Sequence, residues 1–246
     1  MIGQPGSPRC GICGVVLRGS YLQDTWGTQI CPSHRADCPP CRFCGRLVPA
    51  RALAAAGRLG GESRCPLCRS HAIDGMTQAR PLFQDLVGWL NREGLRYGNL
   101  GLRVELRDQI ANIGGAVGTG GVLGVTIEHT QQFGGLIQQR RVETVAVLRG
   151  IPSPLFQGVA AHELGHVWLS VHGVRPLPAE AEEGFCELLA HRRHLALGQQ
   201  PYARMIEANP EPIYGGGYRL ASALSAKLGF ATLLAQLQRT HAWPRT

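Results

Sequence analysis

The chain has 246 residues, a formal net charge of +8 and an apolar fraction of 44%, with moderately high Gly and Pro. That is enough chain for one ordinary domain, or for a small domain joined to a medium one, and the composition excludes wholesale disorder. No stretch approaches the roughly 18 consecutive apolar residues that cross a bilayer, and MIGQPGSPRC at the N-terminus lacks a signal-type apolar core, so the expectation is a cytoplasmic protein with no membrane partner.

The first 75 residues carry nine Arg against four acids and eight of the nine cysteines. In a chain without an export signal, paired CxxC spacings favour metal over disulfides. Cys10-x2-Cys13 with Cys31-x2-His34 makes one four-ligand set, and Cys41-x2-Cys44 with Cys65-x2-Cys68 makes a second. Closed sets of this kind hold structural zinc. Cys38 and His71 are ambiguous: Cys38 is an alternative to Cys41, and His71 an alternative to Cys68. Seven thiolates on two zinc ions reduce the local charge of +5 to about +2. All but one of the 25 basic residues are arginine, the exception being Lys227, and they are scattered. A nucleic-acid partner is therefore not the expected one.

Beyond a division near 72–80 the sequence changes character. Residues 80–91 have apolar positions at 82, 83, 86, 87, 89 and 90, an amphipathic helix. Alternation at Leu102, Val104 and Leu106 predicts a strand, and further strands are expected at 121–128 and 142–149. Ser153 followed by Pro154 predicts a helix with Ser as N-cap and Pro at its first position, running to about Val171. Gly173, Pro176 and Pro178 interrupt it. A second helix follows from about Pro178 to Leu197, with Glu180, Glu182 and Glu183 in its first turns, where the dipole favours acids. A last helix is expected from Tyr218 to Leu237. The glycines at 215–217 read as a turn or a close backbone approach, since no GK[ST] follows them.

HELGH at 162–166 is the strongest chemical signal. One helical turn separates His162 from His166, so both imidazoles leave the same face at metal-chelating distance. Glu163 is placed as general base toward a zinc-activated water. Zinc in a catalytic site takes a third protein ligand, and a carboxylate from the next helix, Glu182 or Glu183, can return to it. Glu187, one turn after Glu183, is a candidate to hold a zinc-binding imidazole in its tautomer. Tyr214, Tyr218, His191 and His194 are candidate oxyanion donors, with Tyr214 first because of the glycines that follow it. Cys186 reads as a buried, apolar-like thiol.

The segment GluGlyPhe at 183–185 resembles the one through which gluzincin peptidases supply their third ligand, and that match selects Glu183. A longer resemblance takes in CysProSerHis (31–34), the CxxC pairs, AlaHisGluLeuGlyHisValTrpLeu (161–169), GluGluGlyPheCysGluLeuLeuAlaHis (182–191) and IleTyrGlyGlyGlyTyrArg (213–219). In these the chain is similar to the LIM-domain, ubiquitin-activated peptidases that restrict organ growth in plants, and to their bacterial relatives. The resemblance implies an α+β protein. Residues 1–75 would form a LIM-like double zinc module, and residues 76–246 a zincin-type, gluzincin-like metallopeptidase domain. It implies one catalytic and two structural Zn2+ ions and hydrolysis of a protein or peptide substrate. The plant members carry ubiquitin-interacting motifs ahead of the zinc module, and none is seen before Cys10, so a ubiquitin or ubiquitin-like regulator is an implication of the resemblance alone. The first set also has Cys-x2-His where a standard LIM domain has His-x2-Cys. Two other functions are weighed beside the peptidase. A non-catalytic zinc adaptor predicts the loss of at least one site residue, and an HExxH protease that cleaves a transcriptional repressor calls for a helix-turn-helix segment.

Overall fold

A computed structural model of the chain describes residues 7–59, 61–98, 100–110, 123–133 and 136–244, with the backbone alone described for 128–133 and 136–143. The chain folds as two compact units, Met1–His71 and Ala72–Thr246. No single helix among the described residues is long and apolar enough to cross a membrane.

The first unit has little regular structure. Hairpin β1 (Leu22–Gln23) and β2 (Gln29–Ile30) precedes helix α1 (Ala50–Ala56). A second hairpin, β3 (Arg58–Leu59) and β4 (Glu62–Ser63), precedes helix α2 (Pro66–Ser70). Elements this short cannot bury enough apolar surface to hold themselves together, which is the situation that metal sites relieve. The small core gathers Cys10, Leu17, Ile30, Cys31 and Cys38, with Leu22 and Leu47 against it. Cys38 is thus a packing residue, and burial raises its thiol pKa. His71 ends α2, its ring nitrogen 3.0 Å from the Leu67 carbonyl. One carboxylate binds the two halves of the unit. Asp24 Oδ1 accepts the Trp26 and Thr28 N–H groups at 2.9 and 2.8 Å, while its Oδ2 accepts Leu47 N–H at 2.9 Å. Trp26 Nε1 donates to the Cys44 carbonyl at 2.6 Å.

The second unit begins at Ala72, slightly ahead of the expected boundary, because Ala72 bridges Pro152 and Ile73 N–H donates to the Ile151 carbonyl at 2.9 Å. Helix α3 (Met76–Arg92) starts earlier than its periodicity indicates. Gln78 Oε1 accepts the Asp74 and Gly75 N–H groups at 3.0 and 3.1 Å and so caps the entry, leaving Pro81 inside the helix. The sheet has the order β5-β7-β6, from β5 (Arg103–Arg107), β6 (Gly124–Phe133) and β7 (Leu136–Leu148). β7 lies parallel to β5 and antiparallel to β6. Val145, Ala146, Val147 and Leu148 are all buried, the continuous run expected of a strand covered on both faces. Of the expected strand at 121–128, residues 121–122 lie outside the described residues.

Helix α4 (Ser153–Val171) is buried nearly all round, with Phe156, Ala160, Ala161, Leu164, Val167, Trp168 and Leu169 fully enclosed. Its cap is Pro152 rather than Ser153, with no side-chain bond, so the expected Ser cap is displaced by one residue. Helix α5 (Ala179–Ala196) crosses it, and buried Arg193 fastens the pair. Its guanidinium reaches Gln157 Oε1 on α4 at 2.8 Å and Asp85 on α3, and lies over the Trp89 ring. Tyr97 O–H donates to the Leu164 carbonyl in the middle of α4 at 3.2 Å. Helix α6 (Gln200–Glu207) was not legible as a periodic segment. The expected helix over 218–237 is two helices, α7 (Gly217–Leu228) and α8 (Phe230–Thr240). They are separated at Gly229, whose φ of 81° suits glycine alone.

Candidate metal centres

The first unit carries two four-residue donor groups, Cys10, Cys13, Cys31, His34 and Cys41, Cys44, Cys65, Cys68, in the pairing that the spacing predicts. Cys41 and Cys68 sulfurs are 3.8 Å apart, as are those of Cys44 and Cys65, while Cys13 and Cys31 are 3.9 Å apart. Four ligands on a tetrahedron with Zn–S bonds near 2.3 Å have edges of about 3.8 Å, whereas a disulfide requires about 2.05 Å. Every one of these thiols is free. The His34 Nδ1 lies 3.0 Å from Cys31 Sγ and 3.7 Å from Cys10 Sγ, so the imidazole completes the first set. Burial opposes charge on Cys10, yet backbone donors outweigh it and bring its thiol down to about 6. These groups suit zinc.

In the second unit, α4 presents His162 and His166 to α5, with ring centroids 5.1 Å apart. Glu183 Oε2 lies 3.1 Å from His162 Nε2 and 3.6 Å from His166 Nε2. Three ligand atoms at bond lengths of 2.0–2.1 Å on a tetrahedron stand about 3.3 Å apart. The buried Oε2 has no hydrogen-bond partner among the described residues. A cation between the three atoms is what this oxygen fits. Burial works against the charge of Glu183, but the two imidazoles outweigh it and hold the carboxyl below its ordinary range.

The far side of each imidazole is also held. His162 Nδ1 is 3.2 Å from Glu187 Oε1, and His166 Nδ1 is 3.0 Å from Glu182 Oε1. A carboxylate on Nδ1 fixes the tautomer that leaves Nε2 free for a metal. Glu182 therefore lies behind His166, while its neighbour Glu183 lies between the two rings. Cys186 brings its thiol within 4.8 Å of both imidazoles and is the competing donor. It is fully buried, and burial raises its pKa, so it stays a thiol while Glu183 is charged.

Glu163 is buried on the same helix. The Thr126 hydroxyl from β6 lies 2.9 Å from its Oε2 and 3.1 Å from its own carbonyl, so this side chain is steadied from the sheet. Neither Thr126 nor its neighbour Gly124, where a Cβ would stand 2.9 Å from Glu163 Oε1, was singled out by the sequence. The only hint was their place on an expected strand.

Tyr214 occupies a π-helical turn, Pro212–Gly216, whose entry is capped by Glu211 Oε2 on Tyr214 N–H at 2.7 Å. The turn lies tight against α5: a Cβ on Gly184 would stand 2.2 Å from the Gly217 carbonyl. The GlyGlyGly run is thus a close backbone approach. It places the Tyr214 ring 6.3 Å from the His162 ring, stacked on it. Burial first, then Glu183 and Glu187, push the Tyr214 pKa up to about 12, so it keeps its proton at neutral pH. The other oxyanion candidates have partners elsewhere. His191 Nε2 pairs with Glu207 at 2.8 Å and its ring packs on Tyr218, while His194 stacks on Tyr202.

Fold and site define a Cys-rich metal-binding module followed by a mixed helix and sheet domain whose crossing helices gather histidines, carboxylates and a thiol. The profile of the DA1-like family, described as Protein DA1, matches residues 116–197. Protein DA1 of Arabidopsis thaliana is 24% identical over 96% of this chain and 57% of its own length. The LIM domain-containing protein HDR3 of Oryza sativa subsp. japonica is 25% identical over 75% of this chain and 44% of its own. Protein DA1-related 1 of Arabidopsis is 41% identical over 23% of this chain and 10% of its own length. The chain is similar to proteins of the plant DA1 family, as the resemblance in its motifs implied. It spans about half the length of the curated relatives it matches, 57% of one and 44% of another. No solved structure matches the chain.

Proposed function

We propose that this chain is a zinc-dependent peptidase of the gluzincin type that hydrolyses peptide bonds in protein substrates. One observation carries the reading: both Nε2 atoms of the HELGH helix converge on Glu183 Oε2, and each Nδ1 is held by a carboxylate of its own. His162, His166 and Glu183 would hold the catalytic zinc, and the two donor groups of the first unit one structural zinc each. Zinc held there supplies a Lewis acid for the scissile carbonyl and lowers the pKa of water toward neutrality.

The protein's own groups do the rest. With Oε2 engaged by Thr126, Glu163 has Oε1 available to take the proton of the attacking water. It passes that proton to the leaving amine nitrogen as the C–N bond breaks. Tyr214 keeps its O–H at neutral pH and is the donor proposed for the developing oxyanion. The first unit binds or positions the substrate.

The test compares wild type with Glu163→Gln, each incubated with the host's soluble proteins, by mass-spectrometric mapping of new N-termini. New termini are expected with the wild type alone. Undiminished cleavage by Glu163→Gln overturns the mechanism.

A further inference from the structure

We infer that Arg175, in the connection between α4 and α5, is a positioning residue of the metal centre that acts on His166 through Glu182. The inference rests on the reading that His162, His166 and Glu183 hold zinc. Arg175 Nη2 lies 2.7 Å from Glu182 Oε1, the same oxygen that stands 3.0 Å from His166 Nδ1. One oxygen thus accepts from two donors. The guanidinium fixes where the carboxylate sits, and the carboxylate fixes how the imidazole is turned.

The backbone beneath Arg175 is anchored. Val174 is fully buried, and its N–H donates to the Leu169 carbonyl at 2.9 Å, which closes the end of α4 against the connection. Side-chain exposure is 29% for Arg175 and 13% for Glu182, so the pair is largely covered. It is therefore screened less than an ordinary surface ion pair.

Charge gives a second reason for the guanidinium. Glu182, Glu183 and Glu187 bring three carboxylates against two imidazoles. Arg175 sets its guanidinium beside the same Glu182 oxygen that faces His166 Nδ1. The two imidazoles are consequently held differently: His162 by a residue of α5, and His166 by a residue of α5 that the connection itself grips.

The test measures the affinity of the chelator-labile zinc in the full-length protein, by competition with a chromophoric chelator. The proteins are wild type, Arg175→Met, Arg175→Lys, Glu182→Gln and the Arg175→Met/Glu182→Gln double variant. Removing a group that orients a metal-binding histidine weakens metal about 10- to 100-fold. Arg175→Met should weaken it about tenfold, and Arg175→Lys should recover most of the loss, because an ammonium can donate to the same Glu182 oxygen. In the Glu182→Gln background, Arg175→Met should add nothing. An equal loss in both backgrounds, or no recovery by Lys, makes Arg175 a residue of loop structure only and overturns the inference. Should Arg175→Met fail to fold, Arg175→Gln takes its place in the same cycle. Glu183→Gln separates the two readings. If it releases the labile zinc while Arg175→Met changes nothing, the inference fails and the zinc reading stands. If the wild type holds no labile zinc, both fail.

Discussion

His194 provides a quantitative test of the packing behind the site. It is 2% exposed, its Nδ1 has no hydrogen-bond partner among the described residues, and its Nε2 would lie 2.3 Å from a Cβ at Gly158. Burial first, then the neighbouring His191 and Arg193 on the same helix, push its pKa down to about 4. The residues packed on its ring from other helices, Gly158 on α4 and the stacked Tyr202 on α6, carry no carboxylate to offset this. In the unfolded chain the imidazole titrates near 6.5. The unfolded state therefore binds a proton that the native state refuses. His194 costs nothing above pH 6.5, and stability is lost progressively as pH falls from 6.5 toward 4. A depression of roughly 2.5 units corresponds to about 3 kcal/mol, a sizeable part of a typical 5–15 kcal/mol. Urea unfolding followed by tryptophan fluorescence, at pH 7.5 and 4.5, gives the stability of wild type and His194→Leu at each pH. Metal ligands titrate alike in both proteins, so the difference isolates His194. Between the two pH values the variant should gain about 2–3 kcal/mol on the wild type. Parallel pH dependence in the two proteins refutes the reasoning.

Tyr214→Phe should lower kcat about 10²-fold, with KM and zinc content little changed, as loss of an oxyanion donor does; steady-state kinetics on a cleavable substrate reads this. Gly124→Ala places a Cβ 2.6 Å from Val159 Cγ1 and 2.9 Å from Glu163 Oε1. Displacing Glu163, the proposed base, should cost about tenfold or more in rate at unchanged zinc content, measured by activity alongside elemental analysis. Cys41→Ser should loosen the first unit in limited proteolysis and leave the labile zinc of the second in place. Loss of all zinc would show that the two units do not fold independently.

Much of this site was written in the order of residues. Spacing alone puts His162 and His166 on one face, and Glu183 and Glu187 one turn apart on the next helix. What spacing does not settle is how α5 is rotated against α4, since Glu182, Glu183 and Glu187 are all near enough to reach. The rotation is decided by close contacts such as Gly165 against Cys186, and by Arg193 bridging to Gln157 and Asp85. Thr126 escaped notice because it stands 37 positions before Glu163 and has no motif around it. The division at Gly229 was missed because glycine within an apolar period is tolerated in helices, and only its positive φ reveals the break.

Asp24 and Trp26 have a consequence for how the first unit acquires its metal. Both belong to the loop between Cys13 and Cys31, yet they bond to Leu47 and to the Cys44 carbonyl, within and just after the second donor set. A loop shaped by metal at one set is thereby the template for the other, so filling the first lowers the ordering cost of filling the second. Titrated with zinc, the unit should pass from empty to doubly filled with little of the singly filled form between. Nascent chains would meet zinc scarcity as a threshold rather than a gradient.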